Sequence, residues 1–433
     1  MKWGYYAMRI RDWDQNLKVR LFGESLMNFT FWMSFPFLTI YFTKAFGNGI
    51  AGILLIASQV FSVVANLLGG FYADRYGRKR MMTISALSQG ISFIIFAFAN
   101  SPWFHSSILS FICFTTISIF SSIYSPASQA MVADVVDEKH RSHVFSVFYV
   151  SLNITVVVSP ILGGIFFTYY RFELLTFCGL SCIILAALLT RFTRETTPKT
   201  THTIQSLNTW YNTLLNQVKH YQVILYDKVF LLFIFAGVLV AQTFMQLDFV
   251  LPVYTNKVFQ EGALLNAGMI HLHFSSAQFF GFILSENGLV VAVLTITITK
   301  WISQFPHKNI FILSSLLYAI SIFLFGIWNS SWGFIASMLL FSFAELIVTG
   351  IQQSFVSILA PDHMRAQYFA AASLRNTIGK MLAPISIPLV GWIGFSGTFA
   401  ILSCLAIISA IIYIIMFKLY DQKHKRIITN GNN

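Results

Sequence analysis

Charge is what this chain has least of. Of 433 residues only 10% are Asp, Glu, Lys or Arg, whereas 56% are hydrophobic and the mean hydropathy is +0.69. Soluble domains carry about a quarter charged residues, so this scarcity excludes a water-soluble globule and points to a polytopic membrane protein. Cysteine is also sparse. The four present, Cys113, Cys178, Cys182 and Cys404, all lie in apolar runs, where a thiol behaves as a small hydrophobe rather than as a disulfide partner or metal ligand. No Gly-x-x-x-x-Gly-Lys loop occurs, which argues against direct ATP hydrolysis and leaves a proton gradient as the energy source, with no cofactor. No set of nucleophile, base and orienting group stands out, so a membrane-embedded lipid enzyme has no chemical support, and a non-transporting sensor is the other alternative to a transporter. The first twenty residues hold Lys2, Arg9, Arg11, Lys18 and Arg20 with Asp12 and Asp14 and no apolar core. They read as a cytoplasmic tail rather than a signal peptide.

What is abundant is hydrophobic length. At about 20 residues per crossing, twelve apolar runs are expected: 19–43, 50–73, 81–100, 105–131, 144–168, 173–192, 229–255, 282–301, 309–328, 332–357, 367–392 and 397–418. With both termini inside, all but five of the 28 basic residues (Lys44, Arg171, Lys257, Arg375, Lys380) fall in cytoplasmic segments. That asymmetry satisfies the positive-inside rule and accounts for the net charge of +12 without any nucleic acid. The longest polar interruption divides the chain into a six-helix bundle with its tail at 1–192, a cytoplasmic linker at 193–228 and a second bundle with tail at 229–433. Within the linker, 203–221 is patterned loosely enough to be an interfacial helix or a disordered segment.

The two halves repeat each other. An offset of 224 carries Gln129 to Gln353, Val132 to Val356, Arg141 to Arg365, Phe145 to Phe369 and Pro160 to Pro384. An offset of 213 carries Leu38 to Leu251, Tyr41 to Tyr254, Lys44 to Lys257, Phe46 to Phe259 and Gly49 to Gly262. The change of offset places an insertion early in the second half, and Glu261 to Glu286 is the expected outside loop. Its His271 and His273 are too few for a metal site by themselves, so no metal is expected. Parallel six-helix repeats of this kind build transporters that rock about a site near the midplane.

Between the second and third runs, Gly70-Phe71-Tyr72-Ala73-Asp74-Arg75-Tyr76-Gly77-Arg78-Lys79-Arg80 joins two apolar helices through a dense charge cluster. Glycine at 70 suits a close helix approach and Gly77 a tight turn. The spacing Gly-x-x-x-Asp-Arg-x-Gly-Arg-Lys resembles the signature loop of the major facilitator superfamily, rather than an ordinary basic loop. Phe244 to Tyr254, Glu345 with Phe343-Ala344, and Arg20 to Phe42 resemble the LmrP-type multidrug/proton antiporters, and the likeness runs with gaps over nearly the whole chain. Ser159-Pro160-Ile161-Leu162-Gly163-Gly164 is similar to the Gly-Pro-x-x-Gly-Gly signature of exporters in that superfamily, with Ser in place of the first glycine. The resemblance implies an all-α membrane protein of twelve transmembrane helices in two pseudo-symmetric bundles. It further implies a monomer in the cell membrane, in contact with lipid, that exports amphiphilic or cationic small molecules in exchange for protons.

Charge inside a span is costly, so each instance is a functional candidate. Asp248 lies in the outer part of the seventh run and Glu345 in the middle of the tenth. The resemblance implies cation binding and protonation at both. Asp134 and Glu24 are further proton-coupling candidates, Glu24 also fitting an i, i+4 pair with Arg20. Gln246, beside Asp248, joins them as a substrate-binding candidate, as do Arg375 and Lys380 in the eleventh run. Lys380 is expected at the depth of Glu345, and a pair between them would suit a zwitterion, a peptide or a lipid headgroup, which makes transport of such a solute the alternative. Asp74 and Asp134 would pair with basic loops in one conformation, making Gly70, Asp74, Arg75, Gly77, Arg78, Arg141 and Pro160 the expected gate. Phe148 stands where the LmrP-type fifth span carries an acid, and the fourth span lacks the arginine of many proton-coupled drug exporters.

Overall fold

The computed structural model describes residues 10–197, 227–260, 262–267, 270–302, 304–360 and 365–430. The helix considered for 203–221, with most of the linker, lies outside the described residues. Ten apolar helical stretches are long enough to cross a bilayer. Two of them are double, bending at left-handed glycines, so that the described residues contain twelve crossings.

The helix Gln15–Tyr76 bends at Gly47 (φ 75°) into α1 (15–46) and α2 (48–76). It is followed by α3 (Arg78–Phe98), α4 (Ser107–Val135), α5 (Glu138–Tyr169) and α6 (Arg171–Phe192). In the second half α7 spans Lys228–Val258, broken by a 3-10 turn at Met245–Leu247. A hairpin of β1 (Ala263–Ala267) and β2 (Ile270–Phe274) pairs Ala263 with Phe274. Then come α8 (Ser276–Ile302), α9 (His307–Ile327) and α10 (Ser331–Leu359). Finally α11 runs from Arg365 through a 3-10 turn at Ala383–Ile385 to the left-handed Gly394, beyond which α12 continues to residue 430. The expected 261–286 loop is therefore a short hairpin followed by the first turns of α8, because Ser276 onward is continuously apolar enough to extend the helix outward. Glu286 lies inside a span.

The chain forms two compact units, 1–45 with 57–214 and 46–56 with 215–433. Their helices are built inside out relative to those of a soluble protein. On α3 the exposed face is Ile84, Leu87, Ile91, Ile95 and Phe98, a stripe of large apolar side chains at helical spacing. Its buried face holds the small or polar Ser85, Ala86, Gln89, Gly90 and Ser92 beside Met82, Phe93 and Phe96. Large apolar groups thus face lipid and small ones let helices approach. In the second unit an aromatic cluster carries the packing: Phe233, Phe311, Phe355, Tyr413 and Phe417 meet edge-on or tilted with centroids 4.9–6.5 Å apart.

The repeat seen at offset 224 extends to helix capping. Ser106 accepts a hydrogen bond from Leu109 N (3.3 Å) at the start of α4, and Ser330 from Gly333 N (3.1 Å) at the start of α10. Pro160 and Pro384 sit in α5 and α11, the fifth helix of each six.

Two glycines of the signature loop behave differently. A Cβ at Gly69 would lie 2.9 Å from Ile123 Cα and 3.0 Å from Pro126 Cγ, whereas one at Gly70 would meet nothing within 4 Å. The close approach expected at Gly70 is made one residue earlier, because the face of α2 turned to α4 carries Gly69. Gly77 is held at φ 102°, ψ 146°, and a Cβ there would run into the Glu195 carboxylate. Gly77→Ala is expected to cost about 1–3 kcal/mol of backbone strain and to lower the melting temperature of the purified protein, with Gly70→Ala leaving it unchanged. Equal melting of the two variants would contradict this account.

Candidate functional site

Charged side chains collect in three places. The first is the loop end of the first unit. Arg78, at the start of α3, pairs with Asp74 across the break at Gly77 and donates from Nε to Asp134 Oδ2 at 3.3 Å, so one guanidinium bridges two carboxylates from α2 and α4. Thr196 Oγ1 also donates to Asp134 Oδ2 (3.0 Å). Below them, Glu195 Oε1 accepts from the backbone N of Arg78 (2.8 Å), capping α3, and from Thr197 Oγ1 (2.9 Å). Burial alone would raise the Glu195 pKa, but the hydrogen bonds from Thr197, Thr196 and Arg78 outweigh it and hold the carboxyl below its ordinary value. Lys79 Nζ donates to the carbonyls of Thr190 (2.8 Å) and Thr193 (2.7 Å). The expected gate residues Asp74, Gly77 and Arg78 thus come together, and Asp134 joins them. Arg75 does not: its guanidinium lies over the Phe71 and Tyr76 rings at 6.0 and 5.6 Å. The side chain of Arg141 lies outside the described residues. Near Pro160, a Cβ on Gly163 would run into the carbonyl of Met33, so the small-residue signature of α5 serves a tight contact with α1.

The second place is deeper in the same unit. Arg20 Nε donates to Glu24 Oε1 (2.8 Å), which also accepts from Tyr124 OH (2.7 Å) and Ser128 Oγ (3.1 Å). Arg20 in turn donates to Ser128 and stacks on Phe148 at 4.9 Å. The expected Arg20–Glu24 pair is present, extended by two hydroxyls of α4. Phe148, in place of an acid, supplies the ring under the guanidinium.

The third place is the second unit. Glu345 on α10 accepts from Asn287 Nδ2 on α8 at 3.1 Å, and the same amide donates to Ser342 Oγ at 3.0 Å. Asn287 and Ser342 are buried, and the carboxylate is half-buried. One amide therefore ties Glu345 to a neighbouring span. Lys380 interacts electrostatically with Asp248, not with Glu345. The pairing expected from depth fails because depth fixes height along a helix but not the direction in which a side chain leaves it.

Two expected substrate contacts are enclosed. Gln246 is fully buried, and its Nε2 donates to Gln242 O (2.9 Å) and Ala383 O (3.3 Å), tying the 3-10 turn of α7 to that of α11. Arg375 is also buried. Its Nε donates to Ala372 O (2.9 Å), and its guanidinium lies 4.5 Å over Phe233. A Cβ on Gly237 would collide with it.

Glu286 was missed from the sequence because it closed the expected outside loop. Its signal was present, an acid inside the run 282–301. Both its carboxylate oxygens are shielded from solvent and lack a hydrogen-bond partner among the described residues. No group of three or more His, Cys, Asp or Glu suited to a metal occurs among those residues.

Twelve crossings in two six-helix units, with acids inside the spans and an ion-paired loop at one end, are the architecture of a transporter. Residues 21–272 and 262–432 match the family model described as Major Facilitator Superfamily, and the chain belongs to that family. It is 51% identical over 419 residues to the Na(+), Li(+), K(+)/H(+) antiporter of Planococcus maritimus, covering 96% of this chain and 99% of the relative. A more distant likeness, 27% over 170 residues, links it to the multidrug resistance protein MdtH of Salmonella choleraesuis, covering 39% and 41% of the two chains. Among solved structures, a POT family transporter in complex with a thioalcohol-conjugated peptide superposes with a TM-score of 0.76 at 18% identity, covering 95% of this chain and 98% of the other. At that identity the likeness shows the fold alone.

The Asp248–Lys380 interaction is tested by suppression. Lys380→Met leaves Asp248 without its cation and is expected to slow transport several-fold. Adding Asp248→Asn restores much of the rate, while adding Glu345→Gln does not. Suppression by Glu345→Gln alone would mean that Lys380 serves Glu345 after all.

Proposed function

We propose that this protein exchanges monovalent cations for protons by alternating access, with Glu345 carrying a proton in one direction and a cation in the other. The observation that carries this is the Glu345 carboxylate inside a span, held by the Asn287 amide. An ionised and empty carboxylate is expensive in low dielectric, whereas one that is protonated or paired with a cation is close to neutral. Only the two loaded forms then pass easily between inward and outward states, which couples the two fluxes. Carboxylate oxygen is a hard donor suited to Na+, Li+ and K+, and the 51% relative bearing those ions in its name supports the same cargo.

The proton gradient supplies the energy. The distribution of basic residues supports a cell-membrane protein with both termini cytoplasmic. On that orientation the Asp74–Arg78–Asp134 cluster is a cytoplasmic gate that stabilises one conformation of the first unit.

A second reading is export of amphiphilic cations. It is supported by the resemblance of Phe244 to Tyr254 to LmrP-type transporters and by the partial match to MdtH. Transport of a peptide or flipping of a lipid finds no support beyond a shared fold.

Proteoliposomes with an imposed pH gradient separate the readings. Addition of Na+, Li+ or K+ is expected to dissipate the gradient in wild type and to have no effect in Glu345→Gln, which still permits passive exchange of cargo. A gradient insensitive to all three ions but collapsed by a lipophilic cation would favour the second reading.

A further inference from the structure

The third charged region holds a second carboxylate that the exchange at Glu345 does not use. Glu286 precedes Asn287 on α8, yet the two side chains leave the helix about 100° apart. Asn287 is engaged with Glu345 and Ser342, while both oxygens of Glu286 are shielded from solvent and have no hydrogen-bond partner among the described residues. The hydroxyl of Ser285, one residue earlier and buried, is likewise without a partner. Helices α7 and α10 and strand β2 pack against α8. The ionisable groups they bring are Asp248, which interacts with Lys380; Tyr254, whose hydroxyl donates to Asn329 Oδ1 (3.2 Å); Lys257, which lies 5.0 Å over the Phe395 ring; Glu345, which is held by Asn287; and Lys228 and His273, which are exposed, the side chain of His271 lying outside the described residues. Lys300 on α8 itself is more than three turns away.

None of these donates a hydrogen bond to Glu286. An ionised carboxylate so placed would bear a desolvation cost of several kcal/mol with nothing to offset it, so in this conformation the group carries its proton. A permanently neutral acid would serve packing no better than Leu or Gln. An acid at such a position is accounted for by a second conformation that gives it water or a counter-charge.

From this we infer that Glu286 is a second proton-carrying carboxyl of the transport cycle, distinct from Glu345. In the conformation described the O–H bond is intact. When the face of α8 bearing Glu286 opens to water, that bond breaks and the proton passes to water. The carboxylate left behind keeps water or a counter-charge beside it and is reprotonated from the opposite side before it is enclosed again. The inference rests on the exchange at Glu345 proposed above, and it makes the exchange electrogenic, with more than one proton moving per monovalent cation.

Two measurements on the full-length protein test it. Dicyclohexylcarbodiimide modifies protonated carboxyls in apolar surroundings. At neutral pH without alkali cations, mass spectrometry is expected to find Glu286 labelled. In proteoliposomes with a clamped membrane potential, the reversal condition gives the proton-to-cation ratio. Glu286→Gln is expected to lower that ratio by one proton and to make the reversal condition independent of membrane potential. Glu286→Asp, which keeps a carboxyl, should retain the wild-type ratio at a lower rate.

An unlabelled Glu286, or a wild-type ratio persisting in Glu286→Gln, would overturn the inference. Should Glu286→Gln fail to reach the membrane, a changed ratio in Glu286→Asp would overturn it equally. Labelling of Glu286 in a protein that moves protons against a lipophilic cation, and not against alkali ions, would refute the proposed cargo while leaving Glu286 as a proton carrier.

Discussion

A carboxylate in the middle of a bilayer span is the constraint on which the second unit depends. Left ionised and unpaired, Glu345 would cost several kcal/mol, which is comparable to the net stability of a whole domain. The protein limits that cost with one amide from the next span, Asn287 Nδ2 at 3.1 Å, itself anchored on Ser342. A single hydrogen bond orients the carboxylate but leaves most of its acceptor capacity open. That balance suits a group that must accept a proton or a cation and release it again. Glu24 is held more fully, with one of its oxygens accepting from Arg20, Tyr124 and Ser128 at once.

The first unit spends its charge differently. Arg78 bridges Asp74 and Asp134, and Glu195 caps α3 beneath them, so the end of α2, the start of α3, the last turn of α4 and the segment after α6 are tied by ionic and hydrogen bonds. Ion pairs near a surface are individually weak. Their value here is that several meet at Gly77, whose left-handed φ and lack of a Cβ admit the Glu195 carboxylate. Such a cluster can be dismantled as a unit, which is what a gate requires. In the second unit the breaks of α7 and α11 are joined through Gln246, so two irregular helices are held together at the level where the transport site is proposed.

Hydropathy made the membrane class, the twelve crossings and the internal repeat legible, because they follow from length, composition and periodicity. The pairing of Arg20 with Glu24 was legible too, being local to one helix. What depended on the rotation of one helix against another was not. Lys380 was expected at the depth of Glu345, yet it interacts with Asp248, because side-chain direction changes by about 100° per residue. Gly70 and Gly69 differ by the same rotation, and only Gly69 faces α4. Gln246 and Arg375 read as cavity polar groups in the sequence, whereas in the fold the Gln246 amide nitrogen is bonded to the carbonyl of Ala383 and Arg375 to the carbonyl of Ala372 and the face of Phe233. Glu286 was lost to a boundary: the expected loop 261–286 overlapped the expected run 282–301, and the helix that holds Glu286 begins at Ser276.

The most direct test of the exchange at Glu345 needs no membrane. Purified protein in weakly buffered detergent solution at neutral pH, with a pH-sensitive dye, is titrated with Na+, Li+ and K+. If one carboxylate holds either a proton or a cation, each addition releases protons saturably, and Glu345→Gln loses most of that release. Undiminished release from Glu345→Gln, or release on a lipophilic cation but on none of the three alkali ions, would contradict the account.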